Sequence, residues 1–467
     1  MNIAKKSVVW AVISLFLVLS LSAVQAQDKV QIRWYVGLGT GTNADQIEGQ
    51  QAIVDDFNAE QDEIELILEV VENAQAYDVL ATQIAAGNAP DIVGPMGIRG
   101  REGFGGAWLD LLPLIDAEGY DLTDFDPALI EFYRVPEQGQ LGLPFAVFPS
   151  FTLYNIDLFD EAGIPYPPAA YGDPYIDWDG NEREWNMETI REVAMILTVD
   201  SNGNDATMEE FNIDDIIQYG WGSQQTDMRG RLAMFGADNL VDADGNAQFP
   251  ENWRVAENWI HDAMWVDGFY PNGLAGNSEL LGGGSGNWFG TGNIAMTSTA
   301  HLWLMGWGQG DLDADFDFAP VPSFEGVSTA KLHADTFSIM ASTENADAAW
   351  TVLKYMMDDR GTDLLSLYGG LPARTSLQET FFDNYVAGLA ENYPQFDWAD
   401  MNWDVVQAGI SIPDRPSHED GLPAIAESEA RYIEYSQLVD NNADADVDAE
   451  IDALVADLQA IYDAAGE

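Results

Sequence analysis

Ile32-Arg33-Trp34-Tyr35-Val36, followed at once by Gly37-Leu38-Gly39-Thr40-Gly41-Thr42, decides how the chain is to be read. The first five residues suit a strand, and the glycine-rich polar run after them is a loop leading into a helix, on which Ile47, Val54 and Phe57 recur at helical spacing. Ile64, Leu66, Leu68 and Val70 then alternate with Glu63, Glu65 and Glu69, the period of a half-buried strand. Tyr77, Leu80 and Ile84 predict a second helix, stopped by Gly87-Asn88 before Pro90, and Asp91-Ile92-Val93 opens a third strand. Three strands with a helix after each of the first two imply a parallel sheet covered by helices, an α/β fold. Ligands of such sheets sit beyond the carboxyl ends of the strands, which singles out the loops at 37–42 and 94–101.

Further along, Gly142 to Asn155 is extended and apolar but broken by Pro144 and Pro149, which suits a crossing between two lobes better than an internal strand. Phe316 to Phe324, with Pro320 and Pro322, has the same character. Helices are predicted around 190–197, 253–264 and 348–357, strands at 293–296 and 336–340, and a C-terminal helix with Ile451, Leu454, Leu458 and Ile461 on one face. Two crossings divide the chain into lobe one, 27–147 and 325–358, and lobe two, 148–324 and 359–467.

The first 26 residues read as an address. Lys5 and Lys6 precede an apolar run from Val8 to Leu21, and Val24-Gln25-Ala26 supplies small residues before a cut at Gln27. The run is short for a bilayer span of about 20 residues, so export and cleavage are expected, to the periplasm or the outer face of the cell membrane. The 467 residues carry 18 Lys and Arg against 79 Asp and Glu, a formal charge of −61 that cleavage makes two charges more negative. Such a field repels phosphate backbones, so nucleic acid is not an expected partner. With 47% hydrophobic residues, 15 Trp, 17 Tyr and 21 Phe, the chain can nonetheless bury a large core. The absence of Cys removes thiol nucleophiles, disulfides and Cys-based metal sites.

Motifs for catalysis are scarce. The four His are scattered, there is no Gly-x-Ser-x-Gly elbow or phosphate-binding P-loop, and Thr42 replaces the third glycine of a dinucleotide fingerprint. A pair of carboxylates for glycoside hydrolysis is uninformative among 79 acids. Three segments share Asp-x-(Asp/Asn)-Gly-Asn, starting at Asp177, Asp200 and Asp242. Oxygens at alternate positions of a tight turn suit calcium, and Asp200, Asn202 and Asn204 are the richest set; the alternative is a turn with Gly at positive φ. A structural calcium is thus the one cofactor contemplated, and none is required. Aromatics are the larger excess. Tyr35 beside the first loop, and Trp288 and Trp303 among Gly and Ser around the Met296 strand, could pack on the C–H faces of a sugar as well as in a core.

The order of several short motifs resembles the bacterial extracellular solute-binding proteins of the maltose-binding type, the carbohydrate-capturing subunits of ABC importers. They are Ile32 to Tyr35, Ala85 to Val93, Leu153-Tyr154-Asn155-Ile156-Asp157-Leu158-Phe159, Gly292 to Met296, Val321 to Phe324 and Gly369-Gly370-Leu371-Pro372-Ala373-Arg374. The resemblance implies a two-lobed periplasmic-binding-protein-like fold of type II with lobes joined by crossing strands, a carbohydrate ligand, ABC importer permease subunits as partners, a monomer, and no reaction. It also implies ligand contacts at Thr40 in the first loop, at Met96 and Arg99, near Phe148 in the first crossing, and at His301 and Trp303. Asp335 stands where many relatives have Gly and Trp and is expected to accept sugar hydroxyls; Arg374 either closes the cleft edge or holds its turn. The charged residues that maltodextrin binders place after the first strand are absent, which argues against maltose itself. A secreted polysaccharide-active enzyme and a structural surface protein are the rival readings.

Overall fold

A computed structural model describes residues 29–135, 138–223, 229–284, 286–301 and 312–465. Its first sheet is built from β1 (Val30–Val36), β2 (Ile64–Val70) and β3 (Ile92–Met96), running parallel and joined by helices α1 (Ala44–Glu60) and α2 (Asn73–Ala85). These are the strand and helix periods of the sequence, with both helices extending beyond their apolar patterns. Both faces of the sheet are covered, as parallel strands demand. Ile32, Trp34 and Val36 enter one core, whereas Tyr35 and Val93 enter another on the opposite face. The Trp34 indole N–H donates to the Gly94 carbonyl at 2.8 Å, so its one polar atom is satisfied inside the core. Gly94 itself sits at φ +149°, where a Cβ would lie 2.6 Å from the Thr336 carbonyl oxygen. Only glycine lets the neighbouring strand come that close.

The chain leaves this sheet through β4 (Leu143–Phe148) and enters a second through β5 (Phe151–Asn155), with Pro149-Ser150 as the crossing. The expectation that Pro144 excludes an internal strand is corrected here. β4 lies between β10 (His333–Ile339) and the two-residue β11 (Leu371–Pro372), and the ladder shifts register between Asp335 and Thr336, opposite Pro144. A bulge absorbs the missing N–H. The second sheet has the order β6 (Val199–Asp200), β7 (Ile216–Ser223), β8 (Ile294–Ala300), β5, β9 (Phe316–Ala319), and segment 320–332 returns the chain to β10.

Residues 361–372, which the sequence reading put with lobe two, lie on the first sheet. Leu371 and Pro372 pair with Val147 and Ala146, and Leu364 and Leu365 join the core around Trp34. The chain then passes through α8 (Thr375–Asn392), whose Phe382 packs on Trp403 and belongs to the lobe-two core. The C-terminal pair α9 (Ile425–Asp440) and α10 (Val447–Ala465) closes lobe two, with Ile451, Leu454 and Leu458 buried as their spacing predicts. Among the described residues no helix is long and apolar enough to cross a membrane.

Candidate functional site

The two sheets present the same kind of edge to each other. In lobe one, β1, β3 and β4 end at Val36, Met96 and Phe148, and the antiparallel β10 starts beside them, His333 facing Phe148. In lobe two, β7 and β8 end at Ser223 and Ala300, and β5 starts at Phe151, opposite Ala300. Carboxyl ends therefore converge on the Pro149-Ser150 crossing from both sides, where open α/β sheets bind ligands. His301 Nδ1 lies 3.1 Å from the Pro149 carbonyl, and its ring centroid is 5.0 Å from that of His333. Ser150 Oγ donates to the Lys331 carbonyl, tying the two crossings together. A third segment runs under them, with the Asp414 carboxylate accepting from Leu332 N at 3.0 Å.

Asp335 is the most telling group in this region. It is half-buried, sits one strand from Met96, and its side chain forms no hydrogen bond or ion pair within the described residues. Burial pushes its carboxyl up from 3.8 to about 7, because the charged form loses its hydration. Burial also raises two neighbouring phenols, those of Tyr133 and Tyr368, and the charge of Asp335 raises them further. Tyr368 donates to Gln50 Oε1 at 2.8 Å. The Tyr133 hydroxyl is buried and has no partner among the described residues. A buried hydroxyl left unsatisfied costs stability unless something else bonds to it.

One flank of this region carries charge. Helix α3 (Ile98–Glu102) projects Arg99 to Glu429 of α9, with Nε 3.1 and 2.8 Å from the two carboxylate oxygens, while its guanidinium lies 4.6 Å above the Tyr77 ring. Burial lifts the Tyr77 phenol to about 12 even against the pull of Arg99. Arg101, almost fully buried, donates to the Phe132 carbonyl at 2.8 Å and pairs with Glu102, and Arg415 reaches the same carbonyl and Asp420. His418, Glu419 and Glu429 bring donor atoms within 4.8 Å of one another, though Arg99 already holds Glu429 through both oxygens.

Several expected ligand contacts have other duties. Tyr35 faces the core and donates its hydroxyl to Ala76 at 2.7 Å, with burial raising the phenol to about 12. Thr40 Oγ1 accepts from Gln46 and so pins the first loop to α1. Met96 is buried at the end of β3, and Phe148 is packed against Gly370. Trp288 is buried, its indole N–H bonded to the Gly276 carbonyl at 3.0 Å. Arg374 holds its turn within lobe one, paired with Asp358 and Asp124 and stacked 4.6 Å over Phe125. Trp303 lies outside the described residues.

The Asp200 loop is a turn. Asp200 Oδ1 accepts from the N–H groups of Asn202 (2.8 Å) and Asn204 (2.9 Å), and Oδ2 from Asn204 Nδ2 and Asn212 N, both at 3.0 Å. Four donors occupy the carboxylate, which leaves little for a cation, and Gly203 takes φ +83° as the turn reading requires. Asp177 and Asp242 make the same pair of backbone contacts, which explains the threefold motif. Here the geometry favours the turn over calcium.

The profile of the bacterial extracellular solute-binding proteins matches residues 43–363, and the chain belongs to that family. No curated protein sequence matches it. Among solved structures it is similar to the ABC substrate-binding protein Lmo0181 of Listeria monocytogenes in complex with cycloalternan, at 17% identity and TM-score 0.64, covering 92% of this chain and 98% of that one. Another is UspC of M. tuberculosis, at 19% and 0.66 over 93% and 100% of the two chains. A third is the sugar-binding protein MalE of Xanthomonas citri, at 16% and 0.65 over 93% and 98%. These likenesses establish the two-lobed type II fold.

Proposed function

We propose that the protein is exported with residues 1–26 as a cleaved signal, captures a carbohydrate between its lobes as a monomer, and delivers it to the permease subunits of an ABC importer. The observation that carries this reading is the convergence of strand ends from both sheets on the Pro149-Ser150 crossing, with the half-buried Asp335 on the strand beside Phe148 and the partnerless Tyr133 hydroxyl close enough to feel its charge. The cycloalternan complex of a structural neighbour supports the ligand class. His301, from lobe two, and Asp335, from lobe one, stand on either side of the crossing, so a ligand touching both would favour the closed arrangement by differential affinity. No step of covalent chemistry is assigned, and Asp335 acts as a hydrogen-bonding group.

A thermal-shift screen against neutral mono- and oligosaccharides, followed by calorimetry and product analysis, tests the proposal. A true ligand at about 100 times its Kd adds about 2.7 kcal/mol of apparent stability. A midpoint that no sugar moves rejects carbohydrate capture, and steady release of a cleaved product rejects the purely binding role.

A further inference from the structure

We propose that His418, Glu419 and Glu429 form a site for one divalent metal ion of the zinc type at the seam between the lobes, and that Glu429 is shared there with Arg99 of lobe one, so that the ion and the interlobe ion pair compete. The proposal is independent of the carbohydrate reading. One imidazole nitrogen and one oxygen from each carboxylate lie within 4.8 Å of one another. Ligands of a single zinc ion, each about 2.0–2.2 Å from it, stand no more than about 4.4 Å apart, so small side-chain rotations close the set. His418 and Glu419 are buried and the Glu429 side chain is 12% exposed, which separates this cluster from the many acids of the surface. An imidazole with two carboxylates is a donor set for zinc and its first-row neighbours, whereas magnesium and calcium take oxygen ligands.

The donors come from two directions. His418 and Glu419 are the central residues of a turn closed by the Asp420 N–H on the Ser417 carbonyl at 3.0 Å and by the Ser417 N–H on Asp420 Oδ2 at 2.7 Å. Glu429 comes from the second turn of α9, which Ser428 ties to the same segment by donating to the Pro423 carbonyl at 2.8 Å. Lobe one reaches the same point. Arg99 offers a single N–H, on Nε, to both Glu429 oxygens, and a carboxylate has about four lone-pair sites, so accepting it is compatible with ligation. Burial raises the Tyr77 phenol under Arg99 most, and the charges of Glu419 and Glu429 raise it further, so both carboxylates act on one lobe-one surface. The other two guanidiniums of the seam, Arg101 and Arg415, are directed at Asp420. A doubly charged ion on Glu429 repels the Arg99 guanidinium, and by reciprocity Arg99 seated on Glu429 weakens the ion. Metal occupancy therefore loosens the contact between the lobes.

Calorimetry with Zn²⁺ on the chelator-stripped mature protein, in an excess of Mg²⁺ that occupies oxygen-only sites on the acidic surface, tests the proposal. A single zinc ion per chain is expected to bind above the Mg²⁺ background. His418→Ala should weaken it at least about tenfold, and Glu427→Gln, an exposed acid on the same stretch of α9, should leave it unchanged. Arg99→Gln, at a side chain 41% exposed, should bind Zn²⁺ at least about threefold tighter, a gain that a merely structural role for these residues does not produce and that decides the matter if His418→Ala fails to fold. Zinc binding that is absent above the Mg²⁺ background, survives His418→Ala or falls equally in Glu427→Gln overturns the site. Affinity no tighter in Arg99→Gln overturns the sharing of Glu429, and the proposal with it.

Discussion

Replacing Asp335 by Asn should make the protein more stable and a poorer binder, in a manner that depends on pH. The carboxyl's pKa is raised in the fold from 3.8 to about 7 by burial, so the folded state holds its proton where the unfolded chain has lost it. For a raised carboxyl the sign is fixed. There is no penalty below about pH 4, stability is lost as pH rises from 4 to 7, and above 7 the loss is complete at about 4 kcal/mol, an upper bound because the side chain is only half-buried. Asn keeps the shape and abolishes the charge. Denaturant unfolding of both proteins at matched pH should therefore show a difference near zero at pH 4 that grows in favour of the Asp335→Asn variant to as much as about 4 kcal/mol at pH 8. Taking the difference cancels the titration of the many other acids. Sugar affinity should move the opposite way at pH 8, because a hydrogen bond to a charged acceptor is worth about 1.5–3 kcal/mol, or roughly tenfold to a hundredfold in Kd. Equal stability of the two proteins across this range would refute the buried, uncompensated carboxyl. Gained stability with unchanged affinity would remove Asp335 from the binding site.

The Arg99–Glu429 pair joins α3 of lobe one to α9 of lobe two, so Glu429→Arg should expand the ligand-free protein in solution scattering, and Arg99→Glu added to it should restore the compact form. An unchanged scattering profile in the single variant would show that the pair does not set the arrangement of the lobes. Asp200→Ala should lower the unfolding midpoint by freeing four N–H groups, and the wild-type midpoint should be indifferent to chelator and to millimolar calcium. Burial pulls the Asp200 carboxyl up, but those N–H donors outweigh it and hold the group at about 2, so the loop's contribution is present above about pH 4 and fades as pH falls through 2. A calcium-dependent midpoint abolished by Asp200→Ala would restore the metal reading.

Much of the architecture was legible because it rests on local periodicity. Alternation in Ile64 to Val70, helical spacing in Tyr77 to Ile84 and the proline at 149 are short-range features, and they marked the parallel sheet, its helices and the place of the crossing. Asp335 entered as a candidate from its place at the start of the strand returning through lobe one, and that position was legible. The faces of the strands were not. Period two separates Trp34 from Tyr35 but does not say that helices cover both sides, so Tyr35, expected at a ligand, is in a core bonded to Ala76. Trp288 and Arg374 met the same fate, since an aromatic or a guanidinium has the same sequence signal whether it serves a ligand or a neighbour. The short strand at Leu371–Pro372 carries no periodicity at all and joined the first sheet only because β4 offered it an edge. The partnership of Arg99 with Glu429, 330 residues apart, depends on how two lobes are set against each other, and the nearness of Tyr133 to Asp335 on how distant segments of one lobe pack. Propensity and spacing act over a few residues; contacts between lobes are decided by packing of whole cores, and only the tertiary structure contains that information.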